Sequence, residues 1–265
     1  MTVTAVVSFF SGVNLVNNPD KAALLYNSKK KGQHITIQGV GGETLSSRDS
    51  EKLLGMHISS DLDWRVHIDE LCRTLNQRLG MLKRIKQKVS RDKLFIIAEA
   101  IFTSKIRYGL AVYSNPRTNE WESKNEDMKS LQVMQNDMLR VIYGHTRAEH
   151  VNMKKLRAKT NMMSINQLST YHMVIEVYNV MYNNSSSQLK SKMKAVQGYY
   201  KLRTEIDHKF RGDLPIPERP SNNCMGFSFK GPTVWNKVPQ DIRETTSKES
   251  FKRKLKSWIL HTIPD

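Results

Sequence analysis

A regular apolar stripe between residues 64 and 89 constrains the fold of this chain more than any other feature of its sequence. Successive residues of the stripe are three or four positions apart, which is the period of an α-helix. The stripe consists of Trp64, Ile68, Cys72, Leu75, Leu79, Leu82, Ile85 and Val89. We therefore predict a long amphipathic helix over about 64–88, with Asp61 or Asp63 capping its start.

A second helix is predicted to follow at once and to form an antiparallel hairpin with the first. Ser90 is a suitable N-cap, and apolar residues with helical spacing continue to about residue 109. We expect these two helices to be the longest in the chain and to pack against each other. The opposite face of the first helix is basic and carries Arg65, Arg73, Arg78, Lys83, Arg84, Lys86 and Lys88.

The rest of the chain predicts a mainly α fold with a small α+β part at its N-terminal end. Further helices are expected over about 126–143, after the capping-box sequence at Ser164, and from about Ser247. Short strands are expected only within about 20–60, around residues 22–26, 35–37 and 53–58, while 3–15 suits either a helix or a strand. Gly39 to Gly42 reads as a turn, and 188–230 as irregular or extended chain.

The charge of the chain is unevenly distributed, and this divides it into three parts. The net charge is +17 and the pI is about 9.8, while mean hydropathy is −0.54. Residues 1–63 carry 6 basic and 6 acidic side chains, 64–147 carry 16 and 9, and 148–265 carry 20 and 10. We take these as three predicted domains, the last two of which favour polyanionic partners.

The residues that carry enzyme chemistry in other proteins do not form recognisable motifs here. Cys72 and Cys224 stand alone, and Cys72 and His172 are expected to be core residues. Asp61 and Asp63 could share a cation, but capping is the more common use of such residues. We therefore expect no metal, cofactor or small-molecule site. No membrane span or secretory signal is indicated, and an intracellular location, nuclear or cytoplasmic, is expected.

Several segments together resemble the C-terminal half of non-LTR (LINE-type, jockey-like) retrotransposon reverse transcriptases. The matching stretches, in order, are LVNNPDKA at 15–22, LGM at 54–56 with DLDW and HI up to 68, IRYG at 106–109, L-x-x-x-Q-N-x-x-L-R at 131–140, FKGPTVWNKVP at 229–239 and FKRKLK at 251–256. Their order and their spread along the chain make the match specific. The chain departs from the family pattern at Ala22, Leu53, Ser59 and Tyr113.

The resemblance implies a role for each of the three parts. Leu54, Gly55 and Met56 would form a primer-grip-like turn at the end of a palm remnant over 1–63. The helices over 64–147 would form a thumb that lies along the template–primer duplex, and 148–265 would be a basic C-terminal region. The resemblance also implies that the fingers, most of the palm and any endonuclease lie upstream of this sequence.

The expected function is sequence-independent binding of an RNA or DNA duplex, without catalysis. A polymerase holds two metal ions with paired carboxylates, and the sequence contains no aromatic-X-Asp-Asp motif. This describes a truncated RNA-directed DNA polymerase that keeps its nucleic-acid-binding thumb. The alternatives are a host protein that reuses this module to bind RNA or a protein partner, and an inert pseudogene product. The predicted phosphate-binding residues are Arg73, Arg78, Lys83, Arg84 and Lys86.

Overall fold

The computed structural model describes residues 22–27, 34–38, 44–116, 126–183, 187–194, 212–214, 216 and 227–263. It divides into two compact units, Met1–Glu70 and Leu71–Asp265. The second unit includes most of the predicted thumb and all of the predicted C-terminal region. The interpretations of residues 3–22 and 39–42, and of Cys224, concern positions that lie wholly or mainly outside the described residues.

The N-terminal unit contains short β-strands, as the sequence predicts for residues 20–60. They are β1 (Leu24–Leu25), β2 (Thr36–Gln38), β3 (Thr44–Arg48), β4 (Ser50–Leu53) and β5 (Met56–Ser59). β3 is the central strand of a three-stranded sheet, parallel to β1 and antiparallel to β2, and β4 and β5 form a separate antiparallel hairpin. In the described part of the chain no strand follows β5.

The prediction of one strand over 53–58 was wrong, because the chain reverses direction inside it. Leu53 pairs with Met56, so Leu54 and Gly55 are the two central residues of a tight turn. Both have positive φ, 48° and 81°, which is the conformation of a type I′ hairpin turn. Asn-Gly is the usual sequence of such turns, and a leucine in the first position conceals the turn in the sequence.

The predicted amphipathic helix is present as α1, Arg65–Ile85. Its buried face consists of Ile68, Leu71, Leu75, Leu79 and Leu82, and Cys72 is half-buried beside it. At its start the Asp63 carboxylate accepts a hydrogen bond of 3.1 Å from the backbone N–H of Arg65. Asp63 is thus the capping aspartate of the two that the sequence offered.

The second predicted helix is interrupted. It consists of α2 (Arg91–Ala98), a π-helical segment (Glu99–Thr103) and α3 (Ser104–Arg107), and the short α4 (Leu110–Tyr113) follows after Gly109. The expectation that it would be one of the two longest helices was wrong, because Glu126–Tyr143 and Ile165–Tyr182 form longer regular helices. The predicted contact with α1 is present, since Arg78 donates a hydrogen bond to the Ile101 carbonyl.

The remaining helices enclose one central helix. They are α5 (Glu126–Tyr143), α6 (Met153–Thr160), α7 (Ile165–Tyr182), α8 (Ser187–Lys194), α9 (Phe227–Trp235), α10 (Gln240–Arg243) and α11 (Lys248–Thr262). α7 contacts α4, α5, α9 and α11, and it is buried around most of its circumference. The predicted capping box is present, with Ser164 and Gln167 exchanging hydrogen bonds of 3.0 and 3.3 Å.

The C-terminal helices belong to the same core as α7. Tyr178 of α7 stacks on Phe251 of α11 with ring centroids 4.6 Å apart, and Trp235 of α9 lies 6.1 Å from Phe251. The prediction of irregular chain over 188–230 was wrong at both ends, where α8 and the first turn of α9 lie. The prolines that favoured this prediction, Pro215, Pro217 and Pro220, lie in sequence between these two helices and so could not prevent either of them.

Candidate nucleic-acid interface

The predicted phosphate-binding side chains differ in how far they are available to a partner. Arg73, Lys83, Arg84 and Lys86 belong to exposed residues of α1 or of the turn after it. Arg78 is half-buried, and its guanidinium donates to the Ile101 carbonyl. Arg78 is therefore held against the protein, and the structure gives it a role in joining α1 to the π-helical segment.

One cluster of exposed basic residues lies at the end of the helical hairpin. We define the basic tip as Lys83, Arg84, Lys86, Lys88, Arg91 and Lys93, all of which are exposed. The single carboxylate between residues 83 and 93 is that of Asp92. The basic tip is thus one short, strongly cationic segment. It includes the basic side chains of the last turn of α1, the connecting turn and the first turn of α2.

The sequence interpretation missed the part of the basic tip that follows the helix. Arg91 and Lys93 lie beyond the apolar stripe and were assigned to a separate helix. The signal was available, because the run KRIKQKVSRDK continues without a break across the turn. The Arg91 guanidinium lies 5.3 Å from the centroid of the Tyr143 ring, a cation–π contact that anchors the start of α2 to α5.

The first half of α1 is electrostatically different from its end. Asp69 and Glu70 are exposed there and offset the charges of Arg65 and Arg73. Lys83 and Arg84 have no acidic neighbours on α1. They lie in its last turn, where positive side chains interact favourably with the negative end of the helix dipole. The positive potential along α1 is therefore expected to be highest at the basic tip.

The predicted primer-grip residues lie on the β4–β5 hairpin. The residue Leu54 is 78% exposed and Leu53 is 57% exposed, so the turn presents apolar side chains to solvent. Met56 is half-buried, and the next residue is fixed by a hydrogen bond of 3.4 Å from the His57 backbone N–H to His67 Nδ1. The structure thus places Leu54, Gly55 and Met56 together in an exposed turn.

The carboxylates that could have formed a cation site are used in hydrogen bonds near the start of α1. The Asp63 carboxylate accepts from the Arg65 N–H and also from the Ser59 hydroxyl at 3.3 Å. Asp61 Oδ1 lies 3.5 Å from the Asp63 backbone nitrogen, which donates to it. Among the described residues, no group of three or more His, Cys, Asp or Glu side chains could hold a metal ion.

His172 is half-buried on α7, so the prediction that it is a core residue is met only in part. Burial lowers the pKa of its imidazole to about 4, and the positive charge of Arg107 lowers it further. The ring makes an edge-on contact with Tyr171, with centroids 5.5 Å apart. The imidazole is therefore neutral near pH 7 and does not add to the positive charge of the protein.

Neither the apolar character of the described helices nor comparison with known proteins identifies a function. In the described helices no segment combines the length and the apolar character that crossing a membrane requires. No protein-family model, curated protein or solved structure matches the chain.

Proposed function

We propose that this protein binds nucleic acid through the basic tip, without sequence preference, as the thumb and C-terminal part of a LINE-type RNA-directed DNA polymerase. The observation that carries the proposal is the exposure of all basic side chains between residues 83 and 93, with one carboxylate among them. The family resemblance of the sequence supports the same partner, a template–primer duplex. The proposed location of the protein is accordingly inside the cell.

The chemistry of the basic tip suits the phosphate backbone more than the base edges. Lysine and arginine side chains that replace counterions on phosphates contribute affinity that depends on salt and not on sequence. Reading bases requires side chains held in a fixed orientation in a groove. Among the basic-tip arginines, Arg84 is oriented by a bond of 3.4 Å from Nε to its own helix backbone and Arg91 by Tyr143. The lysines of the tip have no such constraint among the described contacts.

Charge reversal at the basic tip tests the proposal. The triple variant Lys83→Glu, Arg84→Glu and Lys86→Glu should bind a short duplex at least ~10-fold more weakly, because each lost phosphate contact reduces counterion release. Binding is measured by fluorescence anisotropy, and circular dichroism should show unchanged helicity because the apolar face is intact.

A matched control changes three exposed lysines of α6 by the same amount of charge. Lys154→Glu, Lys155→Glu and Lys159→Glu should leave most of the affinity in place. An equal loss in both triple variants would mean that net charge, and not the basic tip, determines binding.

A further inference from the structure

A small cleft opens in the C-terminal unit at the π-helical segment. It has a volume of about 120 Å³ and is lined by residues of α2, the π-helical segment, α3, α5, α6, the α6–α7 connection, α7 and α11. Phe95, Met162 and Leu168 supply apolar lining, whereas Arg107 and Lys256 supply positive charge. π-Helical turns are rare and are frequent at functional sites, so this cleft is the strongest candidate for a second site.

The π-helical segment brings a neutralised ion pair to the cleft. Glu99 accepts hydrogen bonds from Arg107 at 2.7 Å and from the Thr103 hydroxyl at 2.8 Å, and all three residues line the cleft. The opposite charges of Glu99 and Arg107 offset each other. The pair therefore leaves the net charge of the cleft to its remaining ionised residue, Lys256.

Lys256 and Asn161 contribute polar groups to the lining of the cleft. Among the described contacts, the Lys256 ammonium and the Asn161 side-chain amide make no hydrogen bond or ion pair. Lys256 is half-buried, so its charge is only partly screened by solvent. An ammonium and an amide N–H₂ are both donors, and two such donors in a cleft that polar and apolar side chains line together favour an anionic ligand.

The two helices on either side strengthen this preference. α6 carries four basic residues and no acidic residue over Met153–Thr160. α11 carries five basic residues, with Glu249 as its one acid, over Lys248–Thr262. A positive field over a partly enclosed cleft raises the local concentration of anions, and it attracts a doubly charged anion more than a singly charged one.

The size of the cleft excludes a nucleic-acid duplex. A cavity of roughly 150 Å³ admits one benzene ring, so about 120 Å³ admits a phosphate group and part of the ring next to it. We propose that this cleft binds a phosphomonoester, either on a free nucleotide or at the 5′ end of a strand, with Lys256 and Asn161 as its ligands. The cleft shares no residue with the basic tip, so this proposal does not depend on the duplex-binding function.

The test uses uridine monophosphate, with uridine as the probe that lacks the phosphate. Isothermal titration should show binding of the monophosphate and no measurable binding of uridine. Lys256→Met should weaken binding about 10-fold or more, because a charge-assisted hydrogen bond is lost. Lys254→Met is the matched control: it is the same substitution on the same helix, at an exposed residue that does not line the cleft, and it should change affinity less than ~2-fold.

Two further comparisons make the result independent of a folding defect. Asn161→Gly removes the amide but keeps a residue that tolerates the φ of 54°, and it should also weaken binding. The triple variant of the basic tip should bind uridine monophosphate as the unchanged protein does. Equal losses in Lys254→Met and Lys256→Met, equal binding of uridine, or no binding of the monophosphate at about 1 mM would each overturn the proposal.

A pair of oligonucleotides then identifies the source of the phosphate. Short thymidine oligonucleotides with and without a 5′-phosphate are compared in the triple variant of the basic tip, where backbone binding is weakened. A preference for the phosphorylated oligonucleotide over uridine monophosphate assigns the cleft to strand ends. Tighter binding of uridine monophosphate than of the phosphorylated oligonucleotide assigns it to free nucleotides.

Discussion

Leu54 occupies a backbone conformation that is unfavourable for a residue with a side chain. It has a φ of 48°, in the left-handed region that costs a residue with a Cβ about 1–2 kcal/mol, and its side chain is 78% exposed. An apolar side chain in that position contributes little to burial. Its presence is understandable if the turn contacts a partner, which is the role that the family resemblance implies.

Replacing Leu54 by asparagine is expected to stabilise the hairpin. Asparagine adopts positive φ at lower cost, so Leu54→Asn should stabilise it by about 0.5–1 kcal/mol. Hydrogen–deuterium exchange of the β4 and β5 amides should become slower. Leu53→Asn, next to it on the extended strand, is the control and should not slow the exchange. Faster exchange in Leu54→Asn would contradict the assignment of a type I′ turn.

His172 makes the stability of the C-terminal unit dependent on pH. Its pKa is about 4 in the folded protein and 6.5 in the unfolded chain, so the unfolded chain binds more protons between these values. This contribution to stability is fully present above pH 6.5 and is lost as the pH falls towards 4. The loss has an upper bound of roughly 3–4 kcal/mol, and solvent near the partly exposed ring reduces it.

Urea unfolding of the His172→Gln variant measures this contribution. The midpoint of the unchanged protein should fall more between pH 7 and pH 4.5 than that of the variant, which cannot be protonated there. Parallel pH profiles for the two proteins would show that His172 does not titrate as its burial requires.

At the scale of elements, local sequence signals predicted the regular helices: the spacing of apolar residues along a buried face, and the capping residues at a helix start. The spacing of Leu75, Leu79 and Leu82 identified α1, and the capping-box residues identified the start of α7. The π-helical segment was not predictable in this way. It holds one extra residue per turn, and the contact of Arg78 with the Ile101 carbonyl and the pairing of Thr103 with Glu99 depend on the tertiary structure.

The basic tip and the cleft differ in how far the sequence could predict them. The tip is contiguous in sequence, so its charge was readable, although the assignment of its residues to two helices hid its extent. The cleft joins Phe95, Asn161 and Lys256 from distant segments, and no local pattern indicates that they meet. The sequence could therefore suggest the first site but not the second.

The capping box at Ser164 is expected to be important for the central helix. Ser164 is fully buried, and its hydroxyl accepts from the Gln167 backbone, while the Gln167 side chain also donates to the Ile263 carbonyl at 3.0 Å. Ser164→Ala should lower the free energy of unfolding by about 0.5–2 kcal/mol in urea denaturation. The exposed Ser257→Ala is the control, with a change expected within ~0.5 kcal/mol. Equal effects of the two substitutions would argue against a specific capping role.

At the scale of the whole molecule, the positive charge lies in the part of the chain that we propose binds nucleic acid. The first 63 residues are neutral overall, and the excess of 17 positive charges lies in the helical remainder. We propose that the chain holds nucleic acid without extending a primer, since the sequence contains no aromatic-X-Asp-Asp motif of the kind that binds catalytic metals in polymerases.

Primer extension tests the absence of polymerase activity. The purified protein with Mg²⁺, all four deoxynucleoside triphosphates and a primed RNA template should give no extended product. A complete reverse transcriptase under the same conditions is the control for the assay. Extension that survives a change of Asp61 and Asp63 to asparagine would reveal an active site elsewhere in the chain.

The dependence of duplex affinity on salt tests the central claim most directly. The logarithm of the association constant should fall with the logarithm of the salt concentration by about 0.9 for each phosphate contact on duplex DNA. The slope should become shallower by about 2.7 in the variant with Lys83, Arg84 and Lys86 changed to glutamate, and it should change little in the α6 control. The same slope and affinity in the tip variant and the unchanged protein, with helicity intact, would contradict the assignment of the basic tip as the nucleic-acid interface.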